Sequence, residues 1–153
     1  MQTITLDNYH AAFAIMCQVQ QNTWSEQTFI DSISGANTAV QLVQAGQVLG
    51  FYIVMAVQAP RFIEWSLLEI AVTPDRQQQG IGTALMHELI KRAQAQQVDE
   101  IWLEVRQSNA AARHLYTRFD FAQIEVRKDY YPALNPSQTE QREHAVILRW
   151  IRC

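Results

Sequence analysis

PDRQQQGIGTAL, residues 74–85, joins an apolar run that ends at Val72 to an amphipathic segment that begins at Ile81. The stretch holds two of the five glycines in the 153-residue chain, Gly80 and Gly82, which stand one residue apart. The pair has two explanations at this stage. Either the glycines allow a tight connection from a strand to a helix, or they let a ligand come close to the backbone at the helix N-terminus.

Two common nucleotide-binding loops do not fit this glycine pair. A dinucleotide-binding loop needs a third small residue where the chain has Leu85, and a P-loop needs Gly-Lys-Ser/Thr where it has GTA at residues 82–84. What fits is a helix N-terminus whose unpaired N–H groups carry partial positive charge, with no side chain at either glycine to keep a phosphate away. The pattern favours a pyrophosphate-binding loop without a lysine.

Hydrophobic periodicity predicts the elements on both sides of the loop. Apolar runs predict strands at the N-terminus, three times between residues 39 and 72, at DEIWLEV (99–105), and twice near the C-terminus. Spacings of three and four predict four helices, three of them with Asp7, Ser25 and Ser108 as N-caps. The predicted order is βααβββαβαββ, a single α/β domain over residues 1–153 with a parallel β-α-β crossover. KDYYPALNPSQTEQRE (128–143) is predicted to be a loop.

Composition narrows the functional classes. The net charge of −3 and the lack of a basic stripe disfavour direct nucleic-acid binding. The longest apolar stretch, LGFYIVMAV (49–57), is about half a membrane span, and the N-terminus lacks a signal-peptide pattern, so we expect a cytoplasmic protein without a membrane partner. Cys17 and Cys153 lie outside every motif and are expected to be reduced thiols. The sequence shows no metal-ligand cluster or obvious nucleophile, which predicts no metal site and chemistry supplied by a cofactor.

Several stretches together resemble the Gcn5-related N-acetyltransferase (GNAT) family. QQQGIGTAL (77–85) is similar to the family's acyl-coenzyme A signature, Q/R-x-x-G-x-G/A, and the element order matches the family fold over essentially the whole chain. More narrowly, EIAVTPDRQQQGIG (69–82), IWLEVRQSNAAARHLY (101–116) and RKDYYP (127–132) resemble the bacterial ribosomal-protein-alanine N-acetyltransferases of the RimI type. The resemblance implies a mixed, mostly antiparallel central sheet with splayed central strands, flanked by helices.

The same resemblance implies acetyl-CoA as the acetyl donor and assigns residues to it. The backbone of Ile70, Ala71 and Val72 would pair with the pantetheine arm like an added strand. Asn109, in the predicted helix after the strand DEIWLEV, would also contact the cofactor. The residues that would wrap the pyrophosphate are Gln78, Gln79, Gly80, Ile81, Gly82 and Thr83.

Glu104 and Tyr116 are the candidate catalytic residues. From spacing alone, Glu104 is either an exposed acid on a strand face or a functional one, and Tyr116 is either a core aromatic or a proton donor. The resemblance implies that Glu104 is the general base for the amine and that Tyr116 donates a proton to the leaving thiolate. Because neither cysteine falls in a motif, we expect direct attack in a ternary complex and no acyl-enzyme.

The implied reaction is acetylation of the N-terminal alanine of a small-subunit ribosomal protein. Tyr130, Tyr131 and Trp24 are candidates for the wall of a peptide groove, with the acidic Asp31 and Glu69 as vaguer additions, although tyrosines beside a proline are as often loop packing. Two alternatives stay open: acetylation of another amine, in a small molecule or a protein lysine, and a coenzyme A-binding regulatory module without turnover. A monomer is compatible with all three.

Three departures from the family pattern concern the end of the site that would bind the acetyl acceptor. Asp120 precedes Phe121 where the family usually has glycine, and because aspartate tolerates a left-handed conformation we expect the turn to survive. His144 stands where an aspartate is common, and the loop before it is longer than expected. These differences bear on peptide recognition and leave the cofactor end untouched.

Overall fold

The computed structural model describes residues 1–20, 23–132 and 142–153. Its elements follow the predicted order βααβββαβαββ, with an added 3-10 turn at Pro74–Arg76. The strands are β1 (Gln2–Thr3), β2 (Thr38–Gln44), β3 (Gln47–Ala59), β4 (Phe62–Val72), β5 (Glu100–Arg106), β6 (Ala122–Tyr131) and β7 (Glu143–Ile151). The helices are α1 (His10–Val19), α2 (Glu26–Ser32), α3 (Ile81–Ala95) and α4 (Ala110–Arg118).

The seven strands form one sheet in the order β1-β2-β3-β4-β5-β7-β6. Every described pair is antiparallel except β4 and β5, which run parallel. That parallel ladder is short, from Glu64 opposite Glu100 to Ser66 opposite Trp102. Both strands continue beyond it without pairing with each other, so the sheet opens into a cleft between β4 and β5. The predicted mixed sheet with splayed central strands is confirmed.

A β-bulge in β4 accompanies the opening. In the ladder with β3, Ile53 is opposite Glu69 while Val54 is opposite Leu67, which leaves Leu68 as the extra residue. A bulge bends its strand and increases the local twist. The bend falls two residues after the last contact with β5, so it turns the C-terminal part of β4 away from its parallel neighbour.

Alternating side chains of β3 separate two hydrophobic cores. Phe51 and Ile53 pack with α1 and α2 on one face, whereas Tyr52 and Val54 pack with α3 and α4 on the other. Each fully buried side chain of this size stabilises the fold by roughly 1.5–3 kcal/mol. Helices on both faces therefore hold the sheet in place around its open centre.

Two of the three predicted N-caps are wrong. Ser25 caps α2, since its side chain accepts a hydrogen bond from the Thr28 N–H at 3.1 Å. Asp7 does not cap α1, because Asn8 closes a tight turn by accepting from the Thr5 N–H at 2.7 Å and the helix begins only at His10. Ser108 does not cap α4, because the N-cap position falls on the residue that follows it.

The predicted loop over residues 128–143 begins too early. β6 extends through Tyr131, which pairs with Glu143 of β7 after an irregularity in which Asp129 adopts a φ of +54°. The irregularity absorbs the polar residues that suggested a loop, so Tyr130 and Tyr131 belong to a strand. Residues 133–141 of the predicted loop lie outside the described part of the chain. Asp120 has a φ of +65°, as expected for the residue in the family's glycine position.

Within the residues that the structure describes, no helix is long and apolar enough to cross a membrane. The same residues contain no group of three or more His, Cys, Asp or Glu side chains arranged to hold a metal ion. Cys17 and Cys153 are both exposed free thiols.

Candidate active site

The glycine loop ends in an uncapped helix N-terminus. Gln78 and Gly80 have φ values of +60° and +84°, and Gly80 occupies the N-cap position of α3 without a side-chain cap. The first N–H that bonds back into the helix is that of Ala84, to the Gly80 carbonyl at 3.0 Å. Among the described residues, the N–H groups from Gly80 to Thr83 have no partner. This cluster of donors at the positive end of the helix suits an anion such as a phosphate.

Gly80 and Gly82 differ in backbone conformation and in surroundings. Gly80 needs a left-handed conformation, and a Cβ built on it would meet nothing within 4 Å, so the space above it is open. A Cβ on Gly82 would lie 3.4 Å from Leu115 of α4, which is ordinary packing contact. Gly80 therefore serves the turn and leaves the cradle open, whereas the packing around Gly82 would accept a Cβ. The open cradle and its free donors fit the pyrophosphate of a coenzyme A.

The C-terminal part of β4 offers a free backbone edge beside this cradle. Ile70, Ala71 and Val72 pair with β3 along one edge. Their other edge faces the cleft, because β5 stops pairing with β4 at Ser66. An unpaired strand edge can accept an extended chain as an added strand. The three residues therefore present a free edge of the kind that the predicted pantetheine interaction requires.

Asn109, rather than the predicted Ser108, is the N-cap of α4. Its side-chain oxygen accepts a hydrogen bond from the Ala112 N–H at 3.2 Å. The Ser108 N–H is instead bonded to the Glu143 carboxylate at 2.7 Å, which holds the turn one residue before the helix. Asn109 keeps its side-chain NH₂ group as a donor for a ligand.

Glu104 projects from β5 on the face opposite its buried neighbours Leu103 and Val105. Its side chain is 34% exposed and forms an ion pair with Arg127 of β6, whose Nη1 donates to Oε1 at 2.8 Å. Hydrogen bonding to the Glu104 carboxylate and the charge of that carboxylate raise the pKa of the Tyr130 phenol. Glu104 is thus a solvated, oriented carboxylate with an aromatic neighbour.

Tyr116 is a buried residue of α4, with only 5% of its surface exposed. The centre of its ring lies 5.9 Å from the centre of the Phe121 ring. Burial, followed by the charges of Glu69 and Tyr131, raises the pKa of its phenol far above the usual value of 10. The hydroxyl is therefore protonated throughout the physiological range. A buried neutral phenol at the cleft can donate a hydrogen bond to a developing anion.

Glu69 enters the same cleft from β4. The Gln20 side chain, at the end of α1, donates to its carboxylate at 2.6 Å. Burial raises the pKa of Glu69 to about 7, although the hydrogen bond from Gln20 opposes the shift. Burial also raises the pKa of Tyr131 to about 12, with Glu104 as the largest charge acting on it and Glu69 as a smaller one. Groups on β4, β5, β6 and α4 are therefore close enough for their charges to affect one another.

The structure brings together most of the predicted site residues at the acceptor end and separates two. Tyr130 and Tyr131 stack edge-on at 5.0 Å between centroids. Trp24 instead packs against Phe29 at 6.4 Å within the α1–α2 core. Asp31 lies on the exposed side of α2, where it accepts a hydrogen bond from Gln27 at 2.9 Å.

Three contributing residues were not predicted. Arg127 lies in the RKDYYP stretch, but its pairing with Glu104 depends on strand register. Gln20 contacts a residue 49 positions away. Gly50 of β3 is required because a Cβ there would lie 2.8 Å from the Ala71 carbonyl and 3.2 Å from Ile81, which would push the start of α3 off the sheet. No local pattern signals any of the three.

The fold and the site define an acyl-CoA-dependent N-acetyltransferase. The chain belongs to the acetyltransferase (GNAT) family, whose sequence profile matches residues 7–121. It is 38% identical over 138 residues to the ribosomal protein bS18-alanine N-acetyltransferase of Escherichia coli strain K12, covering 90% of this chain and 87% of that protein. It is 32% identical over 148 residues to the enzyme of the same name from Haemophilus ducreyi, covering 97% of both chains.

Solved structures agree with this membership. The crystal structure of the ribosomal-protein-S18-alanine N-acetyltransferase from Escherichia coli has a TM-score of 0.88 and 35% identity, covering 98% of this chain and 91% of that one. A GNAT family acetyltransferase from Elizabethkingia anophelis with acetyl-CoA bound has a TM-score of 0.77 at 16% identity, covering 99% and 96%. The predicted family and fold are therefore confirmed. The GNAT fold binds acetyl-CoA as its acetyl donor.

Proposed function

We propose that this protein transfers an acetyl group from acetyl-CoA to the α-amino group of the N-terminal alanine of ribosomal protein bS18. The observation that carries the proposal is the 38% identity, over 90% of the chain, to the Escherichia coli enzyme named for that reaction. The cleft supports this proposal, because an extended peptide N-terminus can enter between β4 and β5 and reach the carboxylates of Glu69 and Glu104.

The donor end of the proposed site is made mostly of backbone. The loop from Gln78 to Thr83 would hold the pyrophosphate through its free N–H groups, and Ile70 to Val72 would pair with the pantetheine arm. The Asn109 side chain would contribute its NH₂ group. Bound acetyl-CoA supplies the thioester carbonyl that the amine attacks, and the reaction would proceed in a ternary complex.

Glu104 is the proposed general base. An N-terminal α-ammonium has a pKa of about 7.7–8.0, against about 10.4 for a lysine side chain. Deprotonation at neutral pH therefore costs about 1 kcal/mol for the α-ammonium and about 4–5 kcal/mol for lysine. A solvated carboxylate acting through a water molecule is sufficient for the α-ammonium. Arg127 fixes the orientation of that carboxylate.

Tyr116 is the proposed donor to the leaving thiolate. Its raised pKa keeps the phenol protonated, so the hydrogen is always available. A thiol has a pKa of about 8.5, well below that of this phenol, so complete proton transfer to sulfur is unfavourable. We therefore assign Tyr116 the role of a hydrogen-bond donor that stabilises the thiolate as the C–S bond breaks.

Tyr130 and Tyr131 are proposed to line the acceptor groove. Arg106 lies 4.5 Å from the centre of the Tyr131 ring, and Arg127 lies 5.6 Å from that of Tyr130. These cation–π contacts hold both rings beside Glu104. Trp24 packs against Phe29 away from these two rings, and its role in the groove stays a prediction.

The proposed setting follows from the proposed substrate. A ribosomal protein N-terminus is available in the cytoplasm, and its modification needs neither a nucleic-acid surface nor a membrane on this protein. The acidic balance of the chain, a net charge of −3, suits a basic ribosomal partner. We propose that the protein acts as a monomer.

A competition assay tests the proposed substrate. The protein is given acetyl-CoA with a peptide of the bS18 N-terminus that begins with alanine, the same peptide blocked at its N-terminus but carrying a lysine, and a panel of small amines. The alanine peptide is expected to have the highest kcat/KM. Preference for the blocked peptide or for a small amine would contradict the proposal in favour of another acceptor. Acetyl-CoA binding without turnover of any acceptor would indicate a regulatory module.

A further inference from the structure

Glu69 occupies a distinctive place on β4. It directly follows the bulged Leu68 and directly precedes Ile70, the first residue proposed to contact the acetyl donor. The Gln20 side chain holds one carboxylate oxygen at 2.6 Å from the α1 side of the sheet. The carboxylate therefore lies at the boundary between the donor end and the acceptor end of the cleft.

This carboxylate is partly buried and has no cation beside it. Glu104 and Glu143 form ion pairs with Arg127 and Arg106, whereas Glu69 forms none within the described ranges. Residues 21–22 and 133–141, which lie outside those ranges, contain no lysine, arginine or histidine that could supply one. Burying a carboxylate without a counter-ion costs free energy, and the raised pKa of Glu69 is the sign of that cost.

The groups that face Glu69 do not remove this cost. Gln20 from α1 is neutral, and Tyr116 from α4 and Tyr131 from β6 are phenols whose raised pKa values keep them neutral. A partly buried carboxylate at a reaction cleft, which accepts hydrogen bonds from the Gln20 side chain and the Ile70 backbone N–H but has no cation beside it among the described residues, is a binding site for a positive charge. The proposed acceptor carries such a charge on its N-terminal nitrogen.

We propose that Glu69 binds the α-ammonium group of the incoming N-terminus before Glu104 deprotonates it. The assignment rests on the proposed function and adds a substrate-binding residue to it. Glu69 receives the cation at the mouth of the donor end, and Glu104, already paired with Arg127, takes the proton.

Binding measurements with two peptides test the assignment on the unmodified protein. One peptide is the bS18 N-terminus beginning with alanine, and the other is identical except that the α-amino group is replaced by hydrogen. In the presence of coenzyme A, calorimetry is expected to give a Kd at least about tenfold higher for the deaminated peptide, because a hydrogen bond to a charged group is lost. Equal affinity for the two peptides would overturn the proposal whether or not any variant folds.

The variant Glu69→Gln locates this discrimination. It keeps the shape and a hydrogen-bonding partner for Gln20 but removes the charge. It is expected to bind both peptides equally and to raise the KM for the alanine peptide about tenfold or more, with kcat within a few-fold of the unmodified protein. Glu64→Gln removes the same charge from the part of β4 that pairs with β5, where Glu64 is opposite Glu100 and away from the cleft. This variant is expected to change neither the KM for the alanine peptide nor kcat.

The possible failures are distinguishable. If the unmodified protein acetylates the alanine peptide but Glu69→Gln leaves its KM unchanged, or lowers kcat at constant KM, the role of Glu69 is wrong and the proposed function stands. If the unmodified protein neither binds nor acetylates the alanine peptide, the proposed function fails and the assignment of Glu69 fails with it.

Discussion

The donor end and the acceptor end of the cleft are built from different parts of the chain. The donor end consists of backbone: the free N–H groups at the start of α3 and the unpaired edge of β4. The acceptor end consists of side chains from separate elements, with Glu104 on β5, Arg127 and two tyrosines on β6, and Glu69 on β4. One end offers fixed dipoles to an anion, and the other arranges carboxylates around an amine.

This difference determines how each end tolerates change. Backbone donors survive most substitutions and depend on the conformation of a few glycines. Side-chain carboxylates depend on contacts across the sheet, such as those between residues 23 apart for Glu104 with Arg127 and 49 apart for Glu69 with Gln20. Changes at the acceptor end should therefore alter turnover or acceptor binding, while changes at the donor end should alter affinity for acetyl-CoA.

Glu104→Gln gives the largest expected effect. Removing a general base lowers kcat by about 10²–10⁴-fold, and the affinity for acetyl-CoA should not change because the residue belongs to the acceptor end. Steady-state kinetics and calorimetry with acetyl-CoA measure the two values, with Glu64→Gln as the charge-matched control. Normal turnover combined with a large loss of acetyl-CoA affinity would contradict both the role of Glu104 and the division of the cleft.

Tyr116→Phe tests the residue that lies between the two ends. It removes one hydroxyl and keeps the ring in the core, so we expect kcat to fall by about 10²-fold with little change in either KM. Tyr52→Phe is the matched control, since it removes a buried hydroxyl from a ring on β3 that packs under α3. An equal loss of kcat in both variants would point to a general packing defect.

The donor end could be predicted from the sequence better than the acceptor end for a physical reason. The glycine loop is a contiguous stretch whose conformation and free donors follow from local residue types, so the residue pattern favours a pyrophosphate-binding loop there. The strand alternation around Glu104 is also readable in the sequence. The ion pair between Glu104 and Arg127 depends on the register of β5, β7 and β6. The irregularity at Asp129 interrupts the strand pattern, so the sequence does not show that β6 continues to Tyr131. Long-range register has no local signature.

Gly80→Ala tests whether the donor end depends on backbone conformation. An alanine at a φ of +84° costs about 1–2 kcal/mol, and the strained loop should bind acetyl-CoA about tenfold more weakly. Gly46→Ala, at a φ of +76° with equally open surroundings in the β2–β3 turn, imposes the same strain away from the site. Both variants should lose similar thermal stability, but only Gly80→Ala should raise the Kd for acetyl-CoA. A matching rise in Gly46→Ala would show that stability alone controls binding.

The smallest expected effect is the pH dependence of stability that Glu69 introduces. Its pKa is about 7 in the folded protein and about 4.5 in the unfolded chain, so between these values the folded state holds more protons. The contribution of this group to the free energy of unfolding therefore falls as pH rises from about 4.5 to about 7 and stays low above that range.

Glu69→Gln cannot lose a proton, so it should be more stable than the unmodified protein at pH 8, by about 1 kcal/mol since solvent screens part of the charge, and nearly equal at pH 4.5. Urea unfolding at both values measures the difference, and Glu64→Gln should show none. Adding the alanine peptide should narrow the gap at pH 8, because its ammonium supplies the missing counter-ion to the unmodified protein alone. A gap of the same size at both pH values would mean that the glutamine acts through packing. The charge of Glu69 would then not destabilise the folded protein in the absence of the peptide. The contrast between the carboxylates of the acceptor end and the backbone groups of the donor end would be lost.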